Sequence, residues 1–63
     1  MDNFIVALIG KNVEVEYENA GSTKSTENGK LLSLDSSGYV IIERNGKKIY
    51  LNKEKVHVIS EKN

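Results

Sequence analysis

The sequence predicts a mainly β domain: a short N-terminal helix followed by a five-stranded, strongly bent antiparallel barrel. Three observations carry this reading. Residues Asn12–Glu18 alternate strictly between apolar and acidic side chains, the period-two pattern of a half-buried strand. Asn45-Gly46 lies between two apolar runs, the strongest short-range signal for a hairpin. The ribbon built on that hairpin is apolar on both faces, so it must curl and be covered by its own chain or be covered by a partner.

The elements follow in order. In MDNFIVALIGK, Asp2 or Asn3 can cap a helix, Phe4, Ile5, Leu8 and Ile9 fall at helical spacing, and Gly10 is placed to end it. The β-branched pair Ile5-Val6 makes a strand the alternative. In Asn12–Glu18, Val13, Val15 and Tyr17 share one face and Glu14, Glu16 and Glu18 the other. Asn19–Gly29 holds no apolar residue larger than Ala20 and reads as a flexible, solvated loop. KLLSLD is the second strand, with Leu32 and Leu34 on one face and Leu31 on the other. Ser36-Ser37-Gly38 turns the chain into YVIIER, Asn45-Gly46 turns it into KKIYL, NKEK turns it again, and VHVIS is the fifth strand.

The two-residue Asn-Gly loop sets a register. Arg44 lies opposite Lys47, Glu43 opposite Lys48, Ile42 opposite Ile49 and Val40 opposite Leu51. One face then carries Val40, Ile42, Ile49 and Leu51 as core. The other carries Tyr39, Ile41 and Tyr50 beside the Glu43–Lys48 pair.

Size and charge bound the function. A 63-residue chain is a single domain, 1–63, with a marginal core of its own, because a domain this small buries only about 60% of its unfolded surface. No cysteine is present to staple it, which favours further burial against copies of itself. Nine basic and nine acidic residues balance, with a pI near 6.6. The broad basic field of a duplex-DNA binder is therefore missing. The longest apolar run, Phe4–Ile9, is far short of the roughly 20 residues of a membrane span, and no basic segment precedes it as in a secretory signal. The expected location is the cytoplasm, with no membrane partner.

A helix ending in Gly10-Lys11, then GKLLSLDSSGYVIIE with Gly29 and Asp35 at marked positions, then YVIIERNGKKIYL, resembles the Sm-like family of small, SH3-like β-barrels. The likeness spans nearly the whole chain and is greatest to a divergent bacterial member of the LSm/Hfq type. The resemblance implies a homo-oligomeric ring of about six or seven subunits, with KKIYL of one subunit pairing with VHVIS of the next. It implies single-stranded RNA held near the pore by the turns Asp35–Tyr39 and Asn52–Lys55. Two family features are absent: the first turn holds Ser36 and Ser37 where relatives carry Asn, and Asn52-Lys53-Glu54-Lys55 contains no Arg-Gly.

Each candidate has a plainer reading beside the functional one. Asp35 can order its turn by accepting main-chain amides, and by resemblance also orders an RNA-binding turn. Tyr39 can stack on a base or pack against Ile41 and Tyr50. Lys53 and Lys55 serve solubility alone, or, in a six-fold ring, place roughly twelve cations around one pore. The glutamates of Asn12–Glu18 read as a solvated face rather than a carboxylate site. His57 is the sole histidine and without cysteine makes no metal set by itself. No nucleophile–base set and no Gly-rich phosphate loop before a helix is present, so neither an enzyme nor a cofactor site is expected. The functional expectation is a single-stranded RNA-binding ring using Asp35, Tyr39, Asn52, Lys53 and Lys55. The alternative is a protein-interaction or scaffold ring of the same fold, favoured by the zero net charge and the glutamate face.

Overall fold

The computed structural model describes residues 3–62. One helical turn, α1 (Asn3–Val6), precedes five strands: β1 (Asn12–Glu18), β2 (Lys24–Leu34), β3 (Tyr39–Arg44), β4 (Lys47–Asn52) and β5 (Val56–Glu61). They form one antiparallel sheet in the order β4-β3-β2-β1-β5, which does not close. Short 3₁₀ turns at Ala20–Ser22 and Lys53–Lys55 join β1 to β2 and β4 to β5.

The helix is shorter than the expected span through Ile9. After Val6 the chain continues in tighter turns, with Leu8 N–H donating to the Ile5 carbonyl, Ile9 to Val6 and Lys11 to Leu8 at 2.9–3.1 Å. The β-branched pair Ile5-Val6 disfavours further α-helix. Gly10, at φ +90°, then swings its amide onto the carbonyl of Leu31 at 2.8 Å, tying the segment to β2. Ile5 is buried and Leu8 packs on the core. A capping role for Asp2 lies outside the described residues.

Sheet curvature follows from connectivity. β4 and β5 are the two edges of a five-stranded sheet, about 19 Å apart if it were flat. Only Lys53–Lys55 separate them in sequence, and four residue steps reach at most about 14 Å. The sheet must bend, and its irregularities show where. The register shifts between Glu16 and Tyr17 against β5, and between Leu31 and Ser33 against β3. At Gly29 a Cβ would lie 2.4 Å from Ile42 Cγ2 and 2.6 Å from the Glu43 carbonyl oxygen. Strands approach there at a distance only glycine permits.

The hairpin register is the one the Asn-Gly turn predicts, from Arg44↔Lys47 to Val40↔Leu51. Asn45 and Gly46 both take positive φ, 54° and 79°, as a type I′ turn requires. Val40, Ile42 and Leu51 join Ile5, Val13, Val15 and Leu31 in the buried core, with Ile49 packed beside them.

Two expectations need correction. Leu31, not Leu32, shares the core face with Leu34: Leu31 is fully buried opposite Ile42, while the extra residue at Leu32 shifts the register by one. A one-residue bulge exchanges the faces of a strand, which strict alternation cannot anticipate. The flexible loop expected over Asn19–Gly29 shrinks to Asn19–Thr23, because β2 begins at Lys24. Every residue from Lys24 to Lys30 pairs with β1, from Glu18↔Lys24 to Asn12↔Lys30. Here the strand is held by ladder hydrogen bonds and cross-strand polar pairs such as Lys24–Glu16, 3.8 Å apart, rather than by apolar burial. The tight connection is closed by Asn19 N–H on the Thr23 carbonyl at 2.6 Å and by an Asn19–Ser25 side-chain bond.

Candidate functional site

Asp35 builds the first turn. Its Oδ1 accepts the main-chain N–H of Ser37 and of Tyr39, each at 3.0 Å. Its own N–H donates to the Tyr39 carbonyl and its carbonyl accepts from Gly38, at 3.0 and 3.1 Å. Gly38 takes φ +90°, a conformation that side chains resist. One short acidic side chain thus organises the segment Asp35–Tyr39, as the sequence suggested.

The second turn repeats the device. Asn52 Oδ1 accepts from the main-chain N–H of Glu54 at 2.9 Å, capping the 3₁₀ turn Lys53–Lys55. The Lys53 main-chain N–H then donates to the Gly38 carbonyl at 2.8 Å. The two turns are therefore joined directly, and the ladder pair Tyr39↔Asn52 sits at their junction. Asp35, Tyr39, Asn52 and Lys53 come together at one end of the β3–β4 ladder, with Lys55 two residues further on. Asn52 and Lys55 are exposed, whereas Asp35 and Lys53 are half-buried.

Tyr39 remains 40% exposed while packing edge-to-face on Tyr50, ring centroids 6.5 Å apart and planes at 76°. Both readings of this residue thus keep a physical basis: one ring edge is packed and much of the side chain is open. Ile41 lies on the same outer face, directly opposite Tyr50.

The surroundings are mixed in charge. Glu54 stands between the two turn lysines. Glu18 Oε1 lies 3.7 Å from His57 Nε2, and Glu16 pairs with Lys24. The acidic face of β1 is thus half-buried beside positive or hydrogen-bonding neighbours, with Glu14 exposed. Among the described residues no group of three or more His, Cys, Asp or Glu side chains is placed to hold a metal ion, and no helix is long and apolar enough to cross a membrane.

Gly38 is the residue that sequence reasoning passed over as a mere turn former. Its carbonyl receives Lys53, and the signal was its position between the ordering Asp35 and Tyr39. No family model, curated protein or solved structure matches this chain.

Proposed function

We propose that the chain is an Sm-like small β-barrel that binds single-stranded RNA as a homo-oligomeric ring of about six or seven subunits. The observation that carries the reading is the Lys53–Gly38 main-chain bond. It unites the two turns that, by resemblance, face RNA, and so brings the main chain of Lys53 to the turn that leads into Tyr39. Tyr39 offers a stacking surface, Lys53 and Lys55 supply cations for phosphates, and Asp35 and Asn52 hold the turns in shape.

Ring assembly is supported by the edges. β4 and β5 are the outermost strands, and each carries an exposed apolar residue on its outer face, Tyr50 at 56% and Val58 at 50%. Pairing β4 of one subunit with β5 of the next is heterologous, and rotation by a fixed angle closes it into a ring. Symmetry then repeats Lys53 and Lys55 around one axis, which makes a basic site from a chain of zero net charge.

The second reading, a scaffold ring without RNA, is favoured by the packing of Tyr39 on Tyr50 and by Glu54 within the lysine turn. Titration with short U-rich and A-rich RNA over a salt series separates the two. RNA binding predicts affinity that falls as salt rises and is lost in Lys53→Glu with Lys55→Glu while the assembly keeps its mass. An intact ring that binds no RNA at low salt supports the scaffold.

A further inference from the structure

The far end of the β3–β4 ladder carries a second feature, about 17 Å from the Tyr39↔Asn52 pair at the rise of a strand. Two adjoining hollows meet there at Arg44. One is lined by Asn12, Val13, Asn28, Gly29, Arg44 and Lys62, the other by Glu27, Arg44, Asn45, Lys47, Lys48 and Ile49. Together they gather four cations against one carboxylate, in a chain whose net charge is zero. Gly29 in the first hollow is where β2 lies too close to Ile42 and the Glu43 main chain for any side chain.

The cations are held differently. Arg44 Nη1 is 3.1 Å from Glu27 Oε1, yet the guanidinium side chain stays 52% exposed, and its five donors outnumber what one carboxylate oxygen uses. Lys62 Nζ donates to Asn28 Oδ1 at 3.1 Å. That partner is neutral, so it positions the ammonium without cancelling its charge. Lys47 and Lys48 are exposed, Lys48 standing opposite Glu43 in the ladder.

We propose that this groove is a second nucleic-acid contact surface, one that grips the phosphodiester backbone of a single strand without reading its bases. The lining supplies cations and amide groups suited to phosphate oxygens. It holds no aromatic side chain on which a base could stack. Its apolar lining is confined to Val13 and Ile49 with the glycine, which gives a peptide no pocket for an anchoring side chain. The groove extends the RNA reading to a separate end of the molecule and rests on that reading for its ligand class.

The test is fluorescence anisotropy with labelled uridine and adenosine homopolymers over a potassium chloride series, on the full chain and its variants. Lys47→Gln with Lys48→Gln is expected to weaken both oligomers by the same factor, about tenfold at low salt, and to make the slope of log affinity against log salt shallower by about 1.4. Lys62→Gln, in the first hollow, is expected to act in the same direction with a smaller effect. Unchanged affinity and slope in both variants would overturn the proposal, as would a loss confined to one of the two homopolymers. A glutamate homopolymer binding as tightly through the same lysines, or phosphatidylserine vesicles bound through them with the RNA unaffected, would also overturn it. The two ends separate cleanly. If Lys53→Glu with Lys55→Glu removes all binding and the groove variants are inert, the groove fails and the turn site stands. If only the groove variants lose binding, the groove stands and the turn site fails.

Discussion

The main-chain N–H of Lys53 donates to the carbonyl of Gly38 at 2.8 Å, across 15 positions of sequence. This bond links the turn that ends β2 to the turn that begins β5. It continues the β3–β4 ladder one step beyond the Tyr39↔Asn52 pair, at the end where the chain turns off towards β5. Stability of the fold and geometry of the candidate site therefore share one contact.

Asp35 is the first place to test that sharing. Its carboxylate holds two main-chain amides of the Gly38 turn. Asp35→Ala removes the one oxygen that accepts both bonds, at a position in contact with solvent, and is expected to lower the unfolding free energy by about 1–2 kcal/mol. Asp35→Asn keeps an acceptor oxygen and should recover most of it. Urea denaturation with an unchanged slope against denaturant reads the loss directly.

Two glycines should respond in opposite ways to space. Gly29→Ala forces a methyl within 2.4 Å of Ile42 and 2.6 Å of a main-chain oxygen, and is expected to cost about 3 kcal/mol or more, since backbone must move. Gly38→Ala meets no atom within 4 Å but must hold φ at +90°, at a cost of about 1 kcal/mol. Thermal melting ranks the two, and equal effects would mean that β2 does not approach β3 as closely as described.

Much of this architecture is legible in the chain. Strict alternation located β1, and Asn45-Gly46 located the β3–β4 register residue by residue. Asp35 and its turn were readable because a short carboxylate before small residues has few other uses. Two of the misreadings share a cause. The bulge at Leu32 depends on β3, and the strand Lys24–Gly29 depends on β1, so neither is written in local apolar spacing. The early end of the helix has a local cause in the β-branched Ile5-Val6 pair and a distant one in the hydrogen bonds that draw Gly10 and Lys11 to Leu31. The groove at Arg44 was also out of reach, because Lys62 joins it only through the pairing of β5 with β1.

Assembly is testable at the edges. Val58 and Tyr50 are half-exposed on the two outermost strands. Val58→Lys places a charge in the proposed seam, and is expected to lower the mass seen by light scattering towards that of a 7.0 kDa chain. Far-ultraviolet circular dichroism should still report a β-rich fold. A wild-type chain that runs as a monomer at micromolar concentration removes the ring.

Tyr39 separates stacking from packing. Tyr39→Phe keeps both the edge-to-face contact with Tyr50 and a stacking surface, so RNA affinity and stability should both hold. Tyr39→Ala is expected to weaken RNA by about 1–3 kcal/mol per stacked base. A variant that loses stability but not affinity assigns the ring to packing alone.

Photo-crosslinking of 4-thiouridine-substituted RNA, followed by peptide mapping, tests the central claim most directly. The turn pair predicts crosslinks on peptides containing Tyr39 and Lys53, lost when the first of these is changed to Ala and when Lys53 and Lys55 become Glu. RNA that crosslinks only elsewhere, on the acidic face of β1 or on β5, would contradict the site built on the Lys53–Gly38 bond.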